Sequence, residues 1–283
     1  MALSLLLRGG TNIMIEITDQ EFQRLAALVK ANFGIHLSKE KKALVMGRLG
    51  NILRSLNMDN FSDYINFVIA DRSGEAAKTF ISKITTNHTY FMREADHFDF
   101  FRDKLLPALM PKLKDKDLRI WSAGCSTGEE PYTLAMLIDE YLGGARRGWD
   151  TKILATDISE KVLAHAARGM YSDESVLLLP KRWKLTYFVP HGDNQYAVKD
   201  SIKREVLFRR FNLMDPFPFK KKFHVIFCRN VMIYFDANTR KQIVRKFYDA
   251  LEPGGYLFIG HSETIHRDDR LFHYVMPAVY RKW

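Results

Sequence analysis

Apolar runs alternate with helical patterns through the second part of the chain, and this alternation limits the possible folds more than any other feature. Four of the runs have the length of buried strands: 118–123, 152–157, 223–228 and 256–260. Helical patterns begin near Pro131 and near Ser159, and a third helical pattern covers about 237–251. Strands that alternate with helices form a mostly parallel sheet with helices on both faces. We therefore predict a doubly wound α/β domain over 91–283.

Two further regions modify this predicted sheet. Three short strand-like runs surround a turn and occur at 187–189, 196–198 and 206–208. They predict a small β-insertion on the main sheet, over about 185–210. Residues 253–255 are predicted to form a turn just before the strand at 256–260. Two late segments, near 271–275 and 278–282, are expected to close the sheet as a hairpin.

The first 90 residues lack strand-like alternation and have helical patterns instead. Thr18 and Glu21 have the spacing of a capping box, and Gly34 is expected to end the helix that they begin. Ser38 is expected to cap a second helix. We therefore predict an all-α N-terminal domain over 15–90.

Targeting signals are weak in this sequence. The apolar patch near the start lacks the preceding basic segment and the cleavage site of a signal peptide. Because Arg8-Gly9-Gly10-Thr11 follows this patch, we interpret residues 1–14 as a flexible leader. No apolar run approaches the roughly 18–20 residues that span a bilayer. The two cysteines, Cys125 and Cys228, fit a reducing compartment. We expect a cytoplasmic protein without direct membrane insertion.

The loop 124–130, after the first predicted strand, is rich in small residues and ends in two glutamates. It lacks the spacing of a dinucleotide-binding loop, and Glu129 stands where a phosphate-binding loop needs lysine. Glu129 and Glu130 at a helix start favour a ligand with a positive group, such as the ammonium of a methionine moiety. The alternative is that both simply complement the helix dipole.

Polar residues also follow the other predicted strands. Asp157 ends the second strand, where an acid can bind ribose hydroxyls, although it could instead cap the helix after Ser159. Arg229 and Asn230 interrupt an apolar run and therefore indicate a crevice. Asn212 ends another strand of the same layer, or is a plain turn residue.

Several of these segments together resemble the chemotaxis receptor methyltransferase (CheR) family, over about residues 15–282. The matching segments are 85–94, 121–132, 155–158, 212–213, 226–235 and 260–263. The resemblance implies an S-adenosylmethionine-binding domain of the Rossmann-like class I methyltransferase fold. It also implies methyl transfer to glutamate side chains of chemoreceptors during sensory adaptation, with S-adenosylhomocysteine as the product.

The resemblance also implies roles for individual residues. The glutamate pair would hold the methionine end of the cofactor and Asp157 its ribose. Arg93 and Tyr234 would face the transferred methyl group and the incoming carboxylate. The implied cofactor-binding residues are Asn87, Thr89, Arg93, Ala123, Gly124, Glu129, Glu130, Asp157, Asn212, Leu213, Arg229 and Asn230.

A net charge of +10 favours an acidic partner. We expect the cytoplasmic helical domain of a chemoreceptor as the acceptor, with no nucleic acid, no metal and a monomeric enzyme. Lys41 and Arg48 are seven residues apart on the basic second helix and are the predicted acceptor contacts. A nucleic-acid methyltransferase is the alternative that the basic charge suggests. The segment that begins at Asp215 superficially resembles the acidic, proline-containing loop of amino-group methyltransferases, but it precedes the strand at 223–228 instead of following it, so we interpret it as a plain loop. A binding module without catalysis would need Arg93 and Tyr234 to be idle.

Overall fold

The computed structural model describes residues 15–265 and 271–283, so the predicted leader at 1–14 lies outside the described residues. The described chain divides into two compact units. The first contains residues 15–29 and 37–85, and the second contains 30–36 and 86–283. Among the helices that the structure describes, none is both long enough and apolar enough to cross a membrane.

The first unit is helical, as predicted. Its helices are α1 (Asp19–Phe33, as far as Val29 in this unit), α2 (Lys42–Ser55), α3 (Phe61–Ala70) and α4 (Glu75–Ile84). The capping box is confirmed, because Thr18 N donates to Glu21 Oε2 over 2.9 Å and Glu21 N donates to Thr18 Oγ1 over 3.2 Å. Glu21 also accepts the Ser62 amide over 2.7 Å, which ties the start of α1 to α3.

The prediction that Ser38 caps the second helix is wrong. Ser38 precedes a 3₁₀ turn over Lys39–Lys41 and makes no side-chain capping hydrogen bond. The α-helix begins only at Lys42. The predicted end of α1 is confirmed, since Gly34 follows Phe33 with a φ of +70°, a conformation that favours glycine.

The second unit contains the predicted α/β sheet. Its strands are β1 (Ile120–Ala123), β2 (Ile153–Asp157), β3 (Met170–Ser172), β4 (Phe188–Pro190), β5 (Gln195–Val198), β6 (Val206–Arg210), β7 (Phe223–Cys228), β8 (Leu251–Ile259), β9 (Phe272–Met276) and β10 (Val279–Lys282). Its helices are α5 (Ala95–Phe100), α6 (Leu106–Leu109), α7 (Glu129–Leu142), α8 (Glu160–Arg168), α9 (Asp173–Val176), α10 (Lys181–Tyr187), α11 (Asp200–Lys203) and α12 (Ala237–Ala250). A π-helical turn, Phe101–Leu105, joins α5 to α6.

The main sheet has seven strands in the order β6-β2-β1-β7-β8-β10-β9. The first five of these pair in parallel, and β10 runs antiparallel to both of its neighbours. The late hairpin is therefore confirmed. Pro253 lies inside β8 and does not form a separate turn, so that prediction is wrong.

Both faces of the main sheet are buried. Ile120 packs in one hydrophobic cluster and Trp121 in another, and Phe227 and Cys228 divide in the same way. Neighbouring residues of a strand point to opposite faces, so the two clusters lie on opposite sides of the sheet. Helices must cover each side, which explains why the strands read as continuous apolar runs.

The β-insertion exists, but its predicted composition is partly wrong. The small antiparallel sheet has the order β3-β5-β4, and β6 is instead the edge strand of the main sheet beside β2. Alternation alone could not show which sheet β6 joins. The insertion closes at its base, because Val198 N donates to Gly169 O over 2.9 Å.

Candidate functional site

The carboxyl ends of the parallel strands bring the predicted site segments to one edge of the sheet. Ligands of open α/β sheets bind at this edge. The segments that leave it are residues 124–130 after β1, 158–159 after β2, 211–213 after β6, 229–234 after β7 and 260–263 after β8. All of them belong to the second unit.

The loop after β1 packs tightly against its neighbours. Gly124 and Cys125 donate their amides to Thr156 O over 2.7 and 2.9 Å, which joins the loop to the end of β2. Gly124 has a φ of +85°, and a Cβ there would lie 2.3 Å from Val231 Cγ2. Only glycine satisfies both conditions, so this position fixes how closely the loops after β1 and β7 approach.

Asp157 ends β2 as predicted. Its two carboxylate oxygens accept the amides of Ser126 over 3.0 Å and Ser159 over 2.9 Å. Burial raises the pKa of Asp157, and these hydrogen bonds oppose the rise. The carboxylate therefore ties the loops after β1 and β2 together, and it keeps acceptor capacity for a ligand hydroxyl.

The two glutamates at the start of α7 lie in different surroundings. Glu129 is buried and accepts a hydrogen bond from Thr127 Oγ1 over 2.7 Å, and burial raises its pKa. Glu130 accepts from Ser122 Oγ over 2.6 Å and from an Arg229 nitrogen over 3.0 Å. Of the pair, Glu130 is the one that contacts a basic side chain.

The segment 86–94 lies at the same edge. Ser126 Oγ donates to Asn87 O over 3.0 Å, and Arg93 donates from its guanidinium to His88 O over 2.7 Å. Tyr234 Oη donates to Thr86 O over 2.9 Å. The structure thus brings Asn87, Arg93 and Tyr234 to the loops that follow β1 and β7, and Thr89 lies half-buried in the same segment.

Arg229 is buried at the end of β7 and lies between two carboxylates. It pairs with Glu94 over 3.1 Å and with Glu130 over 3.0 Å, while its side chain is only 3% exposed. It also donates to Arg93 O and lies 5.1 Å from the Phe98 ring. Because its donors already have partners, Arg229 shapes the edge from within.

Asn230 has a left-handed φ of 58°, and Glu263 holds the loop that contains it. The Glu263 carboxylate accepts the amides of Asn230 over 2.9 Å, Ile233 over 3.1 Å and Gly260 over 2.6 Å. Burial raises the Glu263 pKa against these three bonds. The loop after β7 is therefore fastened to the end of β8.

The structure gives Asn212 the turn role that the sequence left open. Its Oδ1 accepts the Met214 amide over 3.1 Å, and its Nδ2 donates to Asn32 O over 2.9 Å. Leu213 beside it is buried, and Ala123 is buried at the end of β1. Contacts between these residues and a cofactor stay predictions.

The two predicted acceptor contacts lie in the first unit, in successive elements. Lys41 belongs to the 3₁₀ turn before α2, whereas Arg48 lies within α2. Arg48 donates to the carbonyls of Lys83 over 3.3 Å and Ile84 over 2.8 Å, at the end of α4. Arg48 therefore stabilises the α4 terminus, and contacts of Lys41 and Arg48 with an acceptor stay predictions.

Three polar residues of the edge carry contacts that the sequence did not assign. Glu94 and Glu263 stand in segments that support the family resemblance, and Ser122 lies inside β1. The available signal for Glu94 and Glu263 was their place in these matching segments. Glu94 pairs with Arg229 at a separation of 135 residues, and Glu263 accepts the Asn230 amide at a separation of 33, which no local pattern indicates.

The carboxylates at this edge of the sheet suit the hydroxyl and ammonium groups of S-adenosylmethionine. Asp157 offers carboxylate oxygens where ribose hydroxyls bind in related folds, and Glu129 and Glu130 offer negative charge for an ammonium group. The tight glycine at 124 permits close approach of the backbone. These residues would hold the ribose and methionine ends of the cofactor.

Two family models match most of the chain. The CheR methyltransferase all-alpha domain matches residues 20–85, and the CheR methyltransferase SAM binding domain matches residues 87–280. The chemotaxis protein methyltransferase of Borreliella burgdorferi is 48% identical over 96% of this chain and 97% of its own length. That of Escherichia coli is 36% identical over 93% of each chain.

Among solved structures, a glycopeptide N-methyltransferase complexed with S-adenosylmethionine matches 62% of this chain and 51% of its own, with a TM-score of 0.36 and 14% identity. That likeness is too distant to bear on function. The two family models and the relatives agree on an S-adenosylmethionine-dependent methyltransferase of chemotaxis. The chain belongs to the CheR methyltransferase family.

Proposed function

We propose that this enzyme methylates glutamate side-chain carboxylates of chemoreceptors and forms glutamate methyl esters. The supporting observation is that five carboxylates at the sheet edge already accept internal hydrogen bonds: Glu94, Glu129, Glu130, Asp157 and Glu263. None of these five stands free as a general base. A carboxylate acceptor needs none, because glutamate has an ordinary pKa of about 4.3 and is ionised at pH 7.

When bound, the sulfonium supplies an electrophilic methyl group, whose S–C bond breaks as the new O–C bond to the carboxylate forms, without proton transfer. The enzyme's task is then to orient the acceptor and exclude water. Tyr234 suits a positioning role, because its hydroxyl donates to Thr86 O and its carbonyl accepts the His36 amide over 2.8 Å. Arg93, whose guanidinium donates to His88 O, offers a positive charge to an incoming carboxylate.

Basic residues of the first unit support an acidic receptor as the acceptor. Lys39, Lys41, Lys42, Arg48 and Arg54 lie on or before α2, with Glu40 as the only acid from 39 to 56. Exposed charge contacts weaken as the Debye length falls from about 10 Å at 0.1 M salt to about 3 Å at 1 M. Receptor methylation is therefore expected to fall with salt.

Lys41→Glu is the cleaner test of this surface, because Arg48 also supports α4. We expect Lys41→Glu to raise the KM for receptor and to leave cofactor affinity unchanged. Unaltered KM at low salt would remove Lys41 from the acceptor surface.

The loop that begins at Asp215 has a packing role that does not support the nucleic-acid alternative. The loop that begins at Asp215 precedes β7, and Phe217 packs on Trp121 with ring centroids 5.1 Å apart. Lys246 Nζ donates to the Asp215 carbonyl over 3.0 Å. This loop therefore closes the core beneath the sheet and needs no nucleic-acid role.

The decisive experiment incubates the enzyme with methyl-labelled S-adenosylmethionine and either receptor cytoplasmic domains or RNA. The expected product on receptor is a carboxyl methyl ester, which releases labelled methanol in mild alkali. Label on RNA, or alkali-stable label on receptor, would overturn the proposal. A receptor domain with its candidate glutamates changed to alanine is the matched control and should incorporate no label.

A further inference from the structure

Glu94 occupies a central position at the sheet edge although it begins a helix. It precedes α5 with a left-handed φ of 57°, and its side chain is 13% exposed. One carboxylate oxygen accepts two Arg229 nitrogens over 3.3 and 3.1 Å. The other accepts Asn230 Nδ2 over 3.2 Å and His261 N over 3.3 Å. One side chain thus joins the segment 86–94 to the loops after β7 and β8.

Glu94 is ionised in this setting. Burial disfavours its charge, but attraction to Arg229 and the hydrogen bonds from Asn230 and His261 outweigh burial and lower its pKa. Arg229 therefore faces two acids with a single positive charge, Glu94 on one side and Glu130 on the other. Such a group of three charges keeps one negative charge in excess when both acids are ionised.

The excess charge matters because the cofactor and its product differ by one positive charge. The sulfonium of S-adenosylmethionine is cationic, whereas the thioether of S-adenosylhomocysteine is neutral. A negative charge at the site stabilises the cation selectively, and a low dielectric strengthens the effect. If Arg229 paired with Glu130 alone, the two charges would cancel and this preference would be lost.

We propose that Glu94 is a positioning residue that neutralises Arg229, so that the charge of Glu130 remains available to the cationic cofactor. Glu94 acts through Arg229 and Glu130 and does not itself touch the cofactor. The proposal concerns cofactor binding alone, so it stands or falls independently of which acceptor is methylated.

A bound cation is the competing explanation for this cluster. Glu94, His97 and His261 offer ligand atoms within 4.8 Å of one another. Glu94 Oε2 lies 3.6 Å from His97 Nδ1. The Arg229 guanidinium, however, already pairs with this same oxygen. A positive group thus takes the place that a metal would need, and the structure favours an ion pair.

The test measures the dissociation constants of S-adenosylmethionine and S-adenosylhomocysteine by calorimetry at pH 8. Glu94→Gln keeps the shape of the side chain but removes its charge. We expect it to weaken S-adenosylmethionine binding by about fivefold more than S-adenosylhomocysteine binding, a change of about 1 kcal/mol in coupling. A purely structural role for Glu94 would weaken both ligands equally, and that result would overturn the proposal.

The double variant Glu94→Gln, Arg229→Gln gives a second and independent check. It removes one charge of each sign and leaves Glu130 with its own, so the preference for the cation should return. Removing both members of a buried ion pair is also often tolerated better than removing one. If the double variant keeps the reduced preference of the single variant, charge balance is not the cause and the proposal fails.

Glu252→Gln is the matched control. Arg119 lies between Asp117 and Glu252 at 2.7 and 2.8 Å, a similar pairing at the opposite ends of the strands. This variant should leave both dissociation constants unchanged. Added Zn²⁺ should leave the melting temperature of the wild-type protein unchanged, whereas a rise that Glu94→Gln abolishes would show a metal site and overturn the ion-pair account.

Discussion

Tyr234 donates a hydrogen bond from its phenol to the carbonyl oxygen of Thr86 over 2.9 Å. This contact joins the loop after β7 to the start of the segment that contains Arg93. Tyr234→Phe removes only the hydroxyl, so we expect a well-folded protein with a lower kcat/KM. Steady-state kinetics with thermal melts would measure this, and Tyr274→Phe, at an exposed site on β9, is the control. Full kcat/KM in a normally melting Tyr234→Phe would show that its hydroxyl has no part in turnover.

Asp157 is expected to anchor the cofactor ribose. Asp157→Ala should weaken cofactor binding by about 0.5–1.5 kcal/mol, and by up to about 3 kcal/mol if the lost hydrogen bond involves its charge. Calorimetry measures this change. Asp150→Ala is the control. Asp150 lies before β2 and accepts the amide of Lys152 over 3.3 Å, in the same way that Asp157, at the end of β2, accepts the amide of Ser159. Equal affinities in the two variants would exclude Asp157 from the site.

Replacing glycine by alanine is expected to have opposite effects on stability at Gly124 and at Gly47. Gly124→Ala places a methyl group 2.3 Å from Val231 at a φ of +85°, so it should destabilise the protein and weaken cofactor binding. Gly47 is exposed within α2, and a Cβ there meets nothing within 4 Å. Gly47→Ala should therefore stabilise the fold by up to about 1 kcal/mol, since alanine is the better helix former. Urea unfolding measures both, and a stable Gly124→Ala would show that the β1 and β7 loops can separate freely.

His97 should make the stability of the protein depend on pH. Burial, with the nearby positive charge of Arg229, lowers the pKa of His97 from its usual 6.5 to about 4. The unfolded chain therefore binds a proton at a higher pH than the native protein does. This contribution to stability is complete above pH 6.5 and is lost as the pH falls through the folded pKa near 4.

Urea unfolding between pH 7.5 and pH 4.5 measures this effect, and NMR titration of His97 measures the pKa directly. His97→Phe should reduce the loss of stability on acidification. His191→Phe, at an exposed position in the β4–β5 turn, should leave the pH profile unchanged. An NMR pKa near 6.5 for His97 would contradict the prediction.

The elements that local pattern determines were predictable, and those that depend on distant pairing were not. The capping box of Thr18 and Glu21 and the buried strand β7 follow from short-range spacing. β6 was placed in the wrong sheet, because its partner β2 lies some fifty residues earlier and apolar alternation does not identify partners.

The same limit applies to the site. Asp157 follows directly from its place at the end of a strand, which is a local feature. Arg229 was expected at the ligand, but its buried pairing with Glu94 depends on a contact across 135 residues. The position of the site at the carboxyl ends of the strands was therefore predictable from the sequence, whereas its ion pairs became visible only in the folded structure.

The hydrogen bond from Val198 to Gly169 closes the base of the small sheet, so the chain leaves and re-enters the main domain at one point. Its inner residues nevertheless belong to the common core: Tyr171 donates to Thr127 O over 2.7 Å, and Phe188 packs 5.6 Å from Phe91. Over evolutionary time, this insertion should therefore diverge unevenly. Its inner side is expected to change as slowly as the main core, whereas the exposed Leu178 and Leu185 are free to drift between lineages.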